Sequence, residues 1–123
     1  MTNRKQEIGK KGESTAVHYL KKEGYKIVEQ NYRSKAGEID IIARDKKTLV
    51  FIEVKTRRSR SFGSPKWAVT PKKQKAISMA ALTYLKMTNQ TGANARFDVV
   101  SILVQGEAPQ IELIRNAFDL AYP

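Results

Sequence analysis

The sequence contains no cysteine and only one histidine. Without cysteine there can be no disulfide, no thiol chemistry and no cysteine zinc site. A single histidine also makes zinc an improbable metal, because zinc sites are built mainly from cysteine and histidine. Any metal site would consist mostly of carboxylates, which favours Mg²⁺ or Mn²⁺.

Long apolar runs are also missing. No stretch approaches the roughly 20 residues needed to cross a bilayer, and the opening MTNRKQEIGKKGE lacks the apolar segment of a signal peptide. These features predict a cytoplasmic protein. A length of 123 residues is typical of one domain, so we predict a single domain spanning residues 1–123.

Acidic residues are absent from one long stretch of the chain. Between Val54 and Phe97 there are ten Lys or Arg and no Asp or Glu, and the formal net charge of the chain is +11. A block of one sign predicts a polyanionic partner, with nucleic acid the first choice and an acidic membrane surface the second. A face that only confers solubility is the alternative. We expect a nucleic-acid partner, DNA before RNA, and no membrane partner.

Hydrophobic periodicity and breaker residues predict seven elements. A helix is expected from Glu7 to Glu23, and Thr70 and Pro71 suit the cap and first residue of a second helix that ends near Met87. Strands are predicted in YKIVEQNY, on both sides of RDKKT, in RFDVVSILV and in QIELIR. The order α-β-β-β-α-β-β predicts an α/β fold with a central mixed sheet of about five strands flanked by helices.

Charged residues interrupt the two apolar strands of GEIDIIARDKKTLVFIEVKT. A hairpin loop of two or of four residues around the central lysines places Asp40 opposite Glu53, and Glu38 opposite Lys55. Side chains alternate between faces along a strand, so these four would share one face. A loop of odd length would separate them. The other face would carry Ile39, Ile41, Ala43, Val50, Ile52 and Val54.

Facing carboxylates repel each other, and a partly buried pair destabilises a fold unless a cation neutralises it. Magnesium typically takes one or two protein carboxylates together with water and phosphate oxygens. We therefore interpret Asp40 and Glu53 as metal ligands. Lys55 would hold an attacking water or stabilise charge on a phosphate, and Glu13 of the first helix would reach the same region. The alternative is a salt-bridge patch that pairs Glu38 with Lys55 and Asp40 with some Lys or Arg, with Glu13 as an ordinary rim glutamate.

The second helix opens with PKKQK, although a helix N-terminus carries partial positive charge. A bound anion would offset the repulsion of Lys72, Lys73 and Lys75, and helix N-termini bind phosphate readily. Gln74 could donate to a phosphate oxygen or orient water. Surface lysines tolerated at a small cost are the alternative.

The segment after the second strand of the hairpin is basic and contains Gly and Pro. Arg57, Arg58 and Arg60 suit contacts with phosphates rather than with base edges. Phe62 and Trp67 flank this segment and would either stack on a base or pack in the core.

Several segments together resemble the YraN-like family of small bacterial proteins, within the PD-(D/E)XK restriction-endonuclease-like superfamily. They are GKKGESTAVHYLKKEGYKIVEQNYR, GEIDIIARD, FIEVKTRRS, FGSPKWAV, KKQKAI, RFDVV and NAF, in order along nearly the whole chain. The resemblance implies a restriction-endonuclease-like core. It also implies the following roles: Asp40, Glu53 and Glu13 for magnesium, Lys55 for the attacking water, and Gln74 or Lys73 as a helper on the substrate side.

Archaeal Holliday junction resolvases have a similar small core, so the resemblance favours branched or flapped DNA as substrate. A resolvase would require a homodimer. Relatives with a Gln-x-x-x-Tyr helix motif carry tyrosine where this chain has Ser78, so the role of that motif in recognising DNA ends does not transfer.

The function expected from these observations is metal-dependent hydrolysis of DNA phosphodiester bonds, by an endonuclease or exonuclease. Two alternatives remain open: a nucleic-acid-binding module without catalysis, and an interaction subunit of a DNA repair or uptake assembly. Facing carboxylates favour the nuclease, because a module that only binds DNA has no need for them.

Overall fold

A computed structural model describes residues 4–58 and 69–121, with side chains described from Gly9 onward. The elements are α1 (Arg4–Lys22), β1 (Lys26–Arg33), β2 (Glu38–Asp45), β3 (Thr48–Arg57), α2 (Pro71–Met87), β4 (Ala95–Leu103) and β5 (Gln110–Phe118). Their order confirms the predicted α-β-β-β-α-β-β arrangement. Neither helix in the described ranges is long and apolar enough to cross a membrane.

The five strands form one mixed sheet in the order β1-β2-β3-β4-β5. β3 and β4 are parallel, and the other three neighbouring pairs are antiparallel. A parallel pair needs a long crossover connection, and α2 lies in the connection between β3 and β4. The fold class predicted from the sequence is therefore confirmed.

The central strands β2, β3 and β4 are buried on both faces, which explains why apolar residues occupy consecutive positions in them. On one face α2 covers a cluster that contains Ile39, Ile42, Leu49, Phe51, Phe97 and Val99. On the other face, residues of α1 pack with Tyr25, Ile41, Ala43, Val50, Ile52, Val100 and Ile102.

Element boundaries differ from the prediction by a few residues. α1 begins three residues earlier than Glu7, and β5 continues to Phe118, three residues beyond QIELIR. Pairing with β4 accounts for the longer β5, since Phe118 lies opposite Phe97 and their rings stack with centroids 4.8 Å apart. At α2 the prediction is confirmed: Pro71 is the first residue, and the Thr70 side chain accepts a hydrogen bond from the Lys73 backbone N–H.

The hairpin between β2 and β3 has the predicted register, with Asp45 opposite Thr48 and Ile41 opposite Ile52. The predicted faces are wrong at one position, because Ile39 packs on the α2 face whereas Ile41 packs on the α1 face. The regular ladder ends at Ile41 and Ile52, one pair before the expected pairing of Asp40 with Glu53. Strict alternation is therefore lost at Asp40.

Two close approaches bring both helices to the same end of the sheet. Gly12 of α1 is buried against the Thr56 side chain of β3, and a Cβ at this position would collide with the Thr56 hydroxyl oxygen. In the turn between β1 and β2, a Cβ on Gly37 would lie 3.0 Å from the Ala76 carbonyl oxygen of α2. These contacts place Glu13, next to Gly12, and the first turns of α2 around the end of β3.

A separate polar network lies on the α1 face. Asp98 is fully buried and accepts hydrogen bonds from the Tyr25 hydroxyl at 2.8 Å, the Asn116 N–H at 2.9 Å and Arg96 Nε at 3.0 Å. Arg96 also donates to Asp45 at 2.7 Å. Asp98 thus has a structural role as the ion-pair partner of Arg96.

Candidate active site

Glu53 is the most buried carboxylate of the candidate site, with only 7% of its side chain exposed. It lies on β3, and its Oε1 is 3.8 Å from the Lys73 ammonium of α2. Its Oε2 is buried and has no hydrogen-bond partner within the described parts of the chain. Burial, followed by the nearby charge of Asp40, raises the pKa of Glu53 to about 7.

Asp40 joins Glu53 through a different geometry from the one predicted. Its Oδ2 accepts a hydrogen bond from the Val54 backbone N–H at 2.8 Å, just beyond the last ladder pair. Its carboxyl group lies close enough to that of Glu53 for each group to shift the pKa of the other. Burial raises the pKa of Asp40, while the Val54 hydrogen bond and the charge of Lys73 oppose that increase. The two predicted ligands are therefore neighbours.

Lys55 is exposed at the end of β3, and its positive charge lowers the pKa of Glu53. The salt-bridge alternative required Glu38 to pair with Lys55, and it does not. It lies opposite Arg33 of β1, whose Nε is 3.8 Å from the Glu38 carboxylate. Within residues 4–58 and 69–121 no ion pair involves Lys55, so its ammonium group can reach a group outside the sheet.

Glu13 of α1 is half-buried beside this pair. Burial, followed by the charge of Asp40, raises the pKa of Glu13. With its amide nitrogen turned toward α1, Asn31 donates to both carboxylate oxygens of Glu13 at 3.3 Å. Asn31 has a φ of 55°, a left-handed conformation that is uncommon for a residue with a side chain. The distorted backbone of β1 therefore supports Glu13.

At the start of α2, Lys73 rather than Gln74 contacts the acidic pair. The Gln74 side-chain amide donates to the Val69 carbonyl oxygen at 3.0 Å and thereby stabilises the segment before the helix. Lys72 and Lys75 are exposed on the same turn. We call Lys72, Lys73 and Lys75 the basic rim, which lies beside Glu53.

The predicted phosphate contacts after β3 are only partly described. Arg57 is half-buried and Arg58 is exposed at the end of the strand. Arg60, Phe62 and Trp67 lie outside the described residues. The described arginines lie at the same end of β3 as Lys55 and Glu53.

The acidic residues form a pair with a more distant third member. Within residues 4–58 and 69–121, no three His, Asp or Glu side chains come together in a metal-binding group. Asp40 and Glu53 alone suit a magnesium-type ion, because Mg²⁺ usually keeps several waters and takes one or two protein carboxylates. The buried Oε2 of Glu53, which lacks a partner among the described groups, fits such an ion.

Two contacts of this site were not predicted from the sequence: that of Asn31 with Glu13 and that of Lys73 with Glu53. Asn31 is a weak signal, since asparagine is disfavoured inside strands and its presence in YKIVEQNY marks an irregularity. The reach of Lys73 to Glu53 has no local signal, because it depends on how α2 packs on the sheet.

The fold and site define an α/β protein with a buried carboxylate pair and a basic rim at one end of a mixed sheet. Residues 12–102 match the family described as "Uncharacterised protein family UPF0102". The chain belongs to the UPF0102 family, which is the YraN-like family that the sequence resembles.

Similar UPF0102 proteins extend over nearly the same length. The one from Desulfosudis oleivorans is 59% identical over 119 residues, which cover 97% of this chain and 95% of that protein. The one from Geobacter metallireducens is 59% identical over 115 residues, covering 94% of each chain. The one from Geotalea uraniireducens is 57% identical over 116 residues, covering 94% of this chain and 91% of that protein.

Proposed function

We propose that this protein is a metal-dependent nuclease with a restriction-endonuclease-like core, which hydrolyses phosphodiester bonds in DNA. The observation that carries this proposal is the buried pair of Asp40 and Glu53. Burial and mutual repulsion disfavour two charges there, and one Glu53 oxygen lacks a partner among the described residues. A divalent cation resolves both problems at once, whereas a purely structural role would be served better by apolar side chains.

The proposed roles of the residues follow from their positions. Asp40 and Glu53 would hold Mg²⁺ or Mn²⁺, and Glu13 of α1 would add a third carboxylate to the same region. The cation would supply Lewis-acid stabilisation of negative charge on the phosphate oxygens. Lys55, exposed beside Glu53, orients the attacking water or stabilises charge that develops on the phosphate. Gln74 would act on the substrate only after exchanging its hydrogen bond to Val69.

The basic rim, together with Arg58 at the end of β3, would hold the DNA backbone. Lys72, Lys75 and Arg58 are exposed, and lysine and arginine contacts with phosphates position DNA without reading its sequence. Such binding weakens steeply with salt because it releases counterions. Affinity that stays constant between about 50 and 200 mM salt would contradict this part of the proposal.

The test is cleavage of end-labelled linear, flapped and four-way DNA, the last two suggested by the likeness to junction resolvases. Wild type is compared with Glu53→Gln and Lys55→Ala in Mg²⁺, in Mn²⁺ and in EDTA. Lys86→Ala is the matched control, since Lys86 is an exposed lysine in the last turn of α2. We expect metal-dependent cleavage that both site variants lose and the control retains. Sedimentation with four-way DNA would test the homodimer that resolution of a junction requires.

One observation favours a second candidate, a DNA-binding module without catalysis. Lys73 already contributes positive charge to the acidic pair from 3.8 Å. In that case wild type and Glu53→Gln would bind DNA equally, with or without EDTA, and no DNA would be cut under any condition.

A further inference from the structure

Lys73 differs from its neighbours in the first turn of α2. Its ammonium group lies 3.8 Å from Glu53 Oε1, whereas Lys72 and Lys75 have no ion pair within the described residues. The Thr70 cap fixes its backbone, because the Lys73 N–H donates to the Thr70 hydroxyl at 3.2 Å. The lysine is therefore directed at the sheet by the way the helix begins.

The ammonium group of Lys73 occupies the place where a cation is needed. It acts electrostatically on both carboxylates of the pair, Asp40 and Glu53. It makes contact with only one Glu53 oxygen, and the other remains without a partner among the described groups. One lysine thus neutralises the pair incompletely.

Lys73 is also able to leave. Its side chain is 46% exposed, compared with 7% for Glu53, and a lysine ammonium sits on a flexible four-carbon chain. A divalent ion against the same carboxylates would repel the ammonium strongly at such short range. Binding of the ion and the Lys73–Glu53 contact therefore oppose each other.

We propose that Lys73 is an internal counterion that competes with the metal. Its ammonium neutralises Asp40 and Glu53 when no metal is bound, and a divalent ion displaces it toward solvent. This inference rests on the proposed function, because it takes Asp40 and Glu53 as the metal ligands. Lys73 is then a positioning residue that sets the metal affinity of the site.

The test is titration of the protein with MnCl₂ alone, followed by calorimetry at pH 8. We compare wild type, Lys73→Met and Lys72→Met. Methionine keeps most of the length of lysine without its charge, and Lys72 controls for the loss of one charge in the same exposed turn. No DNA is present, so a role of Lys72 in phosphate binding does not enter. We expect Lys73→Met to bind Mn²⁺ at least about 5-fold more tightly, within the usual range for coupled sites, and Lys72→Met to stay near wild type.

A second readout uses thermal melting of the same three proteins. In EDTA, Lys73→Met is expected to melt below Lys72→Met, because it leaves the buried carboxylates without their counterion. In saturating Mn²⁺ the difference should vanish or reverse, since the ion replaces the lysine. Lys73→Gln provides a second, polar substitution if the methionine variant does not fold.

The outcomes separate the inference from the proposed function. If wild type binds Mn²⁺ and Lys73→Met binds it equally or more weakly, the counterion inference is overturned and the metal site stands. If only Lys73→Met binds Mn²⁺, the inference is supported in its strongest form. If neither binds Mn²⁺, both the inference and the metal-dependent nuclease are overturned.

Discussion

The Asp40 carboxylate on β2 accepts a hydrogen bond from the backbone N–H of Val54 on β3, at 2.8 Å. This bond follows directly after the last regular ladder pair of the two strands. A side-chain oxygen thus substitutes for the backbone acceptor that a continuing strand would have supplied. The same side chain holds the two strands together and forms half of the acidic pair with Glu53.

These two roles of Asp40 can be separated by substitution. Asp40→Asn keeps an oxygen that can accept from Val54 and removes the repulsion with Glu53, so we expect stability equal to or above that of wild type. Asp40→Ala leaves the Val54 N–H unpaired and should lower the free energy of unfolding by about 1–3 kcal/mol. Urea denaturation measures both effects. Equal stability of the two variants would contradict a structural role for this hydrogen bond.

The same two Asp40 variants report on the metal site. Both lack the charged ligand, so both should lose most of the Mn²⁺ affinity that wild type shows by calorimetry. Retention of wild-type affinity in Asp40→Asn would remove Asp40 from the proposed ligand set, whatever its effect on stability.

Glu53 makes stability depend on pH. Its folded pKa of about 7 lies above the ordinary 4.5, so between these values the folded state binds more protons than the unfolded state. Stability therefore falls as pH rises through this interval, by up to roughly 3 kcal/mol at about 1.4 kcal/mol per pKa unit. The charged groups that face Glu53 are Asp40, Lys73 and Lys55, and the two lysines limit the loss.

The measurement is urea denaturation in EDTA at pH 5, 6.5 and 8. Glu53→Gln should be less sensitive to pH than wild type and should gain stability relative to it as pH rises. Glu112→Gln, which removes an exposed carboxylate of β5, is the control. Parallel pH profiles for wild type and Glu53→Gln would contradict a raised pKa of Glu53 in the folded protein.

Two glycines of α1 give a matched test of helix placement. A Cβ on Gly9 meets nothing within 4 Å, whereas a Cβ on Gly12 would collide with the Thr56 side chain. Gly9→Ala should therefore stabilise the protein by about 0.5–1 kcal/mol through helix propensity. Gly12→Ala should destabilise it by about 1–3 kcal/mol, because either the Thr56 side chain must leave its rotamer or α1 must move away from β3. Melting curves of both variants test this, and similar shifts in the same direction would contradict the close approach.

Movement of α1 should also affect the site, since Glu13 follows Gly12 directly. If Glu13 assists metal binding, Gly12→Ala should weaken Mn²⁺ binding even where the protein remains folded, while Gly9→Ala should leave it unchanged. Unchanged affinity in both variants would contradict a link between the Gly12 contact and the metal site.

Sequence patterns predicted the features that depend on residues adjacent in the chain, namely the hairpin register and the start of α2. The turn RDKKT determined the register of β2 and β3, because its length leaves few pairings, and Thr70 with Pro71 marked the start of α2. Contacts between distant elements were not predictable in this way. The face of Ile39 depends on where β2 leaves β3, and the approach of Lys73 to Glu53 depends on how α2 packs over the sheet. The register alone was enough to bring Asp40 near Glu53, but the direct pairing of the two residues expected from it is absent, because the ladder ends one pair earlier.

Asp98 offers a test of stability that is independent of the candidate site. It is fully buried, and Tyr25, Arg96 and the Asn116 N–H donate to it. Asp98→Ala leaves Arg96 without its buried partner, so we expect a loss of about 3–5 kcal/mol in the free energy of unfolding. Asp119→Ala, which removes an exposed carboxylate, should change stability by less than about 0.5 kcal/mol.

Because Asp98 lies on the α1 face while Glu53 pairs with α2, the folded fraction of Asp98→Ala should bind Mn²⁺ as wild type does. A selective loss of Mn²⁺ affinity at full stability would instead make Asp98 part of the metal site.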